Sequence, residues 1–421
     1  MLERHVTKYL DEAIRAVPVV VLEGGRAVGK STLCEALAIQ HGWAKPTDLS
    51  DPAVLETVAL DPDRWLAQQP TPCVIDEAQL LPDLPLAVKR VVDSRRSPGQ
   101  FLLTGSARLG RSQLGGSDPL AGRCIRVRMW SLTEYELAER QPPDIAAWFD
   151  PDWAPTEPTS SLASRTAERR WPPLGGLAGL TGVLDPQPDD TQVALWDREI
   201  DAYVEAVLPL GVAGSRADLG LLKRLFRYLA ANSGQHLNTA RAASELGISV
   251  ETVRAGMQRL DSCFLIHEVL AHRPSEHKTL TQHPKVFAAD TGLATWAARA
   301  WSQPTTAALT GSLNETRVAH GLCAGADASV ERVEVRHWRD KRNQKEIDFL
   351  LINPAGKLVA IEVKSASSIG PSATKGLLDF ADRHQTTFAR GIVFYDGDTP
   401  VDLSPSGQRN TFVGLPISAI A

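Results

Sequence analysis

No stretch of the sequence approaches the roughly 20 uncharged apolar residues that a membrane-spanning helix needs, and the opening segment MLERHVTKYLDEAIRAV has no apolar leader core. The expectation is a cytoplasmic chain with no membrane partner. Cysteine is scarce: Cys34, Cys73, Cys124, Cys263 and Cys323 are scattered without a C-x-x-C pair. That pattern argues against a disulfide framework or a cysteine zinc site and suits reduced packing thiols. An excess of positive charge is missing too, with 45 Lys and Arg against 50 Asp and Glu for a net charge of -5. A uniformly basic body is thereby ruled out, and any nucleic-acid contact must come from a local patch. Internal repeats are absent. What remains is an ordinary composition, 43% hydrophobic over 421 residues, enough for two to four domains with cores of their own.

The pattern divides the chain into four regions. Residues 1–140 alternate apolar runs at 17–22, 73–75, 101–103 and 125–129 with helical periodicity, as a parallel α/β domain does. Residues 141–205 are rich in Pro, Gly, Ser and Thr, as in PDWAPTEPTSSLASRT, and read as a connection with little regular structure. Residues 206–300 turn helical, and residues 301–421 return to mixed helix and strand.

The sharpest signal is EGGRAVGKST, from Glu23 to Thr32, directly after the apolar run Val17 to Leu22. Gly24, Gly29, Lys30 and Ser31 satisfy G-x-x-x-x-G-K-[ST], between a strand and a helix as that motif requires. In such a loop Gly24, Gly25, Arg26, Ala27, Val28 and Gly29 curl so that backbone N–H groups face phosphate oxygens. The helix opened by Lys30, Ser31 and Thr32 adds its positive end. Lys30 would reach the β- and γ-phosphates of ATP, and Ser31 would ligate Mg2+. The strand Cys73-Val74-Ile75 then delivers Asp76 for the magnesium shell and Glu77 to polarise the attacking water. This adjacent pair points to hydrolysis rather than phosphate transfer. A third strand ends in Thr104-Gly105-Ser106, which places two hydroxyls to sense the γ-phosphate. In DPLAGRCIRVR, Arg123 is the candidate arginine finger, acting on a neighbouring subunit's nucleotide, with Arg108, Arg111, Arg126 and Arg128 as competitors.

The series GGRAVGKST, CVIDEAQLLPDLPLAVKRVVD, GQFLLTGSARL and LAGRCIRVRMWSLTEYEL resembles the N-terminal ATPase domain of a widespread prokaryotic AAA-type family whose C-terminal domain is of unknown function. The similarity resumes at HPKVFAADTGLA, GSLNETRVAHGL and EIDFLLINPAGKLVAIEVKS. The resemblance implies an AAA-type ATPase core. The proline-rich stretch before Trp196 departs from the family pattern.

Between Leu221 and Leu270 the order is helix, helix, a glycine turn at Gly247 and a third helix capped by Ser249, then FLIHEVL as a wing. Thr252, Arg254 and Arg259 would be exposed on that third helix, which makes DNA a candidate partner. His267, His272, His277 and His283 lack ligand spacing and read as wing and loop residues rather than a zinc site. Further on, KEIDFLLINPAGKLVAIEVKS reads as a hairpin, with strands at 347–352 and 357–364 around a turn at 353–356. Asp348 on one strand, with Glu362 and Lys364 on the other, resembles the PD-(D/E)-x-K nuclease core, and Glu315 fits the extra acid of that fold's first helix. Glu315, Asp348 and Glu362 would hold Mg2+, and Lys364 would position water. A lysine two residues from a glutamate on a strand is equally an ordinary ion pair.

The expected protein is α/β. It has a P-loop AAA-type ATPase domain, a winged-helix segment and a C-terminal restriction-endonuclease-like domain, and works as a homo-oligomer that uses ATP and Mg2+ on a nucleic-acid or protein partner. Two rivals stand beside it: an ATP-gated, metal-dependent DNA endonuclease centred on Asp348, Glu362 and Lys364, and a nucleotide-switched regulatory or scaffold protein whose nuclease-like domain is inactive.

Overall fold

The computed structural model describes residues 2–109, 118–155, 171–212, 218–272, 283–300, 306–340, 345–406 and 410–420. Its N-terminal sheet has five strands, β1 (Val19–Glu23), β2 (Thr47–Asp48), β3 (Cys73–Asp76), β4 (Phe101–Gly105) and β5 (Cys124–Arg128), in the order β2-β3-β4-β1-β5. Every pairing is parallel. Apolar strands suit this layout because both faces are covered. Val19, Val21, Ile75 and Leu103 pack under the helix Leu84–Ser94, while Val20, Leu22, Val74 and Leu102 pack under the helix Lys30–His41. Strand β2 was not expected, since Thr47-Asp48 is too short and polar to leave a periodic trace. Parallel strands bring their carboxyl ends to one edge, where ligands of such sheets bind.

The connection at 141–205 is more ordered than its composition suggested. Asp190–Val207 is an 18-residue helix. Its start is fixed by reciprocal capping: Gln192 N donates to Asp189 Oδ1 at 2.7 Å, and Asp189 N donates to Gln192 Oε1 at 2.7 Å. Val193, Trp196, Ile200, Val204 and Val207 recur every three or four residues and are buried along one stripe. The prolines upstream had masked that period. Ile145 and Trp148, in the same connection, are buried against the C-terminal sheet.

The helical region holds Leu219–Ala231, Thr239–Leu246 and Val250–Ser262, followed by an antiparallel ribbon of β6 (Ile266–Val269) and β7 (Lys285–Ala288). Gly247 turns at φ 68°, and Ser249 Oγ accepts from Thr252 N at 3.1 Å to open the third helix. The last sheet has six strands: β8 (Glu334–Asp340), β9 (Lys345–Ile352), β10 (Leu358–Lys364), β11 (Phe388–Tyr395), β12 (Val401–Asp402) and β13 (Phe412–Pro416). Their order is β12-β13-β11-β10-β9-β8. The expected hairpin is β9–β10, paired from Leu358↔Ile352 to Ile361↔Phe349. The helix Ala307–Ala328 covers one face through Val318, Ala319 and Leu322, and Lys375–Arg383 covers the other through Leu377 and Phe380. Among the described residues no helix is long and apolar enough to cross a membrane.

Candidate functional site

At the carboxyl edge of the parallel sheet, the chain leaving β1 curls over the start of the helix Lys30–His41. Ala27 (φ 58°) and Gly29 (φ 97°) take left-handed backbone there, and a side chain at Gly24 would run into the Met129 carbonyl. Lys30 is only 4% exposed. It donates to the carbonyls of Gly24 at 3.0 Å and Gly25 at 2.7 Å and to Ser106 Oγ at 3.0 Å. Burial lowers its pKa to about 8, against the opposing pull of Glu77 and Asp76.

The two acids join the same network. Asp76, at the end of β3, accepts from Thr104 Oγ1, and Thr104 Oγ1 accepts from Glu77 N at 3.1 Å. Glu77 takes a left-handed φ of 52°, and its carboxylate accepts from Ser106 Oγ at 2.9 Å and from the Gln79 side-chain amide. Gln79 had been overlooked, although it stands in DEAQ two residues from Glu77. Arg26, Ser31, Asp76, Glu77, Gln79 and Ser106 line one cavity of about 420 Å3. Ser31 and Thr32 are exposed on the first turn of the helix.

The candidate arginines other than Arg111 all have partners within the chain. Arg123 precedes β5, whose register with β1 runs from Val19↔Cys124 to Glu23↔Arg128. It therefore stands at the far end of the sheet, about 16 Å of strand from the loop at some 3.3 Å per residue. There it grips Asp93 at 2.6 and 2.9 Å, so it does not touch this chain's own loop. Arg126 is held by Glu23 and Asp118, Arg108 pairs with Asp261 at 2.7 Å, and Arg128 lies 3.6 Å over the Trp130 ring. Arg111 lies outside the described residues, as does His277. The arginine that does meet the loop is Arg4, which donates to the Val28 carbonyl at 2.5 Å and to Glu136 at 3.0 Å.

A second cluster lies where β7 meets the C-terminal sheet. Lys285 of β7, 2% exposed, places its ammonium 2.7 Å from Glu315, 2.9 Å from Glu346 and 3.2 Å from Asp348. Burial would lower the lysine's pKa, but the three carboxylates outweigh it and hold the pKa well above the ordinary value. Glu346 is kept down at about 2 against its burial by His236 and Lys285. The other Asp348 oxygen accepts from Val363 N at 2.9 Å. Glu362 pairs instead with Lys364 at 2.7 Å, its carboxylate lying over Gly376. Of the expected group, Glu315 and Asp348 thus meet on Lys285 and Glu362 meets Lys364, with Asp348 close enough to act on both Glu362 and Lys364. Among the described residues no group of three or more His, Cys, Asp or Glu side chains is placed to hold a metal ion.

Residues 16–138 match the AAA domain family. Residues 184–304 match a domain of unknown function, DUF8612, and residues 310–417 another, DUF4143. Uncharacterized proteins of Mycobacterium bovis and Mycobacterium tuberculosis are each 27% identical over 293 residues, covering 69% of this chain and 58% of theirs. The chain thus spans little more than half the length of these curated relatives. Among solved structures, a Walker-type ATPase of Pyrococcus abyssi is 15% identical and covers 70% of this chain and 96% of its own, with a TM-score of 0.36. The Holliday junction branch migration motor RuvB of Thermotoga maritima is 18% identical and covers 65% and 92%, with a TM-score of 0.27. Likenesses that loose carry no argument. The AAA match and the strand-loop-helix geometry together make the N-terminal unit an α/β P-loop domain of the ATPase type.

Proposed function

We propose that the chain binds ATP with Mg2+ at the loop after β1 and hydrolyses it. The observation that supports this reading is the single network in which Lys30, Asp76, Glu77, Thr104 and Ser106 meet beside a cavity of about 420 Å3. Backbone N–H groups of the turn after Gly24, whose own N–H is held by the Gly105 carbonyl, receive the phosphates, and Lys30 exchanges neutral carbonyls for phosphate oxygens, a stronger, charge-assisted contact. Ser31 and Asp76 line the same cavity and fit a magnesium shell, in which the ion would neutralise phosphate charge. Glu77, held by Ser106 and Gln79, takes the proton of the attacking water, and Thr104 and Ser106 read the γ-phosphate.

Beyond residues 1–140, the helix Asp190–Val207 goes with the region 206–300, and the order of three helices and a ribbon suits a winged helix with Arg254 exposed. DNA is the partner that this module fits, and a cytoplasmic homo-oligomer in which Arg123 serves the neighbour's nucleotide completes the reading. ATP hydrolysis measured with and without single- and double-stranded DNA, in magnesium and in EDTA, tests it. A folded chain with no magnesium-dependent hydrolysis in any condition overturns it.

For residues 301–421, Lys285 favours a restriction-endonuclease-like domain that does not cleave. An ammonium already stands between Glu315, Glu346 and Asp348, where a cation would otherwise be needed. Magnesium-dependent nicking of supercoiled DNA by the purified chain, lost in Asp348→Ala, would overturn this part alone.

A further inference from the structure

The loop after β1 is touched from outside its own domain. Tyr203, on the helix Asp190–Val207, donates its hydroxyl to the Arg26 carbonyl at 3.1 Å. The Tyr203 hydroxyl oxygen stands 3.6 Å from where a side chain on Gly25 would begin, and Phe264 Cβ stands 3.9 Å from it, so the hydroxyl sits directly against the Gly25-Arg26 turn. Tyr203 packs on both the helical core around Trp196 and the core around Val28 and Leu33. It therefore joins the region at 184–304 to the phosphate loop. A second bridge runs alongside: Arg108, just past the β4 hydroxyls, donates its N–H to the Ser262 carbonyl at 3.2 Å, and its guanidinium pairs with Asp261 at 2.7 Å.

A trans peptide is rigid, and its C=O and N–H point in opposite directions. Fixing the Arg26 carbonyl on Tyr203 therefore turns the Ala27 N–H to the other side of the loop. The neighbouring Val28 carbonyl is fixed in the same way by Arg4, at 2.5 Å. Ala27 needs that support, because its φ of 58° is a left-handed conformation that a residue with a Cβ seldom adopts alone. N–H groups aimed together into such a curl make an anion site.

We propose that Tyr203 is a positioning residue of the nucleotide site. By holding the Arg26 carbonyl it aims the Ala27 N–H at the phosphates, so that nucleotide affinity depends on the helical region being docked. The inference rests on the ATP-binding reading above. Linkage makes it reciprocal: bound ATP tightens the docking of the helix Asp190–Val207 by the same factor.

The test uses the full chain as wild type, Tyr203→Phe and Lys30→Ala, with ATP and magnesium as the ligand. One neutral hydrogen bond contributes about 0.5–1.5 kcal/mol, so Tyr203→Phe should raise the ATP Kd roughly three- to tenfold. It should raise KM and leave kcat unchanged, because the ring and the acids stay in place. A purely structural tyrosine would instead lower the melting temperature without nucleotide and leave Kd alone. Hydrogen exchange on the unmodified chain supplies a second readout that needs no variant: ATP should slow exchange at residues 196–207. A wild-type Kd in folded Tyr203→Phe, or ATP protection confined to the loop, overturns the proposal while Lys30→Ala still abolishes binding. Wild-type affinity in folded Lys30→Ala would instead defeat the ATP-binding reading on which it stands.

Discussion

Lys30 and Lys285 are both almost fully buried, at 4% and 2% exposure, yet they are held in opposite ways. Lys30 is surrounded by two backbone carbonyls and a hydroxyl, and its pKa falls to about 8 because those dipoles do not replace the water lost on burial. Lys285 is surrounded by three carboxylates, which drive its pKa up despite the same burial. The first touches no carboxylate directly, although Glu77 and Asp76 stand near, and it lies in a loop beside an open cavity that an anion can enter. The second already has its anions, and it ties β7 of the helical region to the helix Ala307–Ala328 and to β9. On the proposed reading one lysine is prepared for a ligand and the other stands where one would bind.

The largest expected effect tests that contrast directly. Lys30→Ala should abolish tight ATP binding, a loss of at least about a hundredfold, while the melting temperature changes little, since no carboxylate loses its partner. Isothermal titration with ATP and magnesium reads the first and thermal unfolding the second. The acids of the same site separate next. Glu77→Gln should keep ATP bound but slow hydrolysis by on the order of a hundredfold, whereas Asp76→Asn should weaken magnesium-dependent binding. Equal and small effects from both would mean that the β3 carboxylates serve only the hydrogen bonds to Thr104 and Ser106.

Lys285→Met should behave in reverse. It leaves the half-buried Glu315 and Asp348 without their ammonium and Glu346 with His236 alone at 2.9 Å, so chemical denaturation should show a loss of about 1–3 kcal/mol, with ATP affinity near wild type. Adding Glu315→Gln should restore part of that loss, because one uncompensated charge is removed. An unchanged stability would break the comparison by showing that the acids find other partners.

The difference between the two sites also explains what the sequence disclosed. A phosphate loop is local: Gly24 to Thr32 supply nearly all of it in nine residues, and Asp76 and Glu77 are announced by the apolar strand before them. Its outer supports are not local. Arg4 and Tyr203 reach the loop from 24 and 177 residues away, and neither stands in a pattern that points there. The hairpin at 345–364 was legible from alternation and from the Asn353 to Gly356 turn. Lys285 was not, since it lies 30 residues before Glu315 and 63 before Asp348 and is brought in by the pairing of β7 with β6 and with His236. The alternation thus placed Asp348, Glu362 and Lys364 on paired strands, but it carried no sign of the lysine that Glu315 and Asp348 share. The Asp190–Val207 helix was hidden by the prolines before it, although Val193, Trp196, Ile200 and Val204 carry a clean helical period.

The smallest expected effect concerns the cation that belongs to neither site. Arg123 forms an exposed two-pronged pair with Asp93 at the amino end of the parallel sheet, away from the loop and from the acid cluster alike. Exposed pairs add little to stability, so Arg123→Ala should leave the melting temperature nearly unchanged and ATP affinity within about twofold. Its one larger consequence follows from the proposed assembly: a finger acting on a neighbour's nucleotide is felt only where chains meet. Turnover per chain should therefore be unchanged in dilute solution, and the rise in turnover with protein concentration should disappear in the variant. If Arg123→Ala slows dilute and concentrated samples alike, the arginine acts within its own chain, which its place at the far end of β5 does not allow without a rearrangement of the sheet. If neither sample changes while wild type shows the rise, the finger is another arginine, and Asp93 is the whole of Arg123's role.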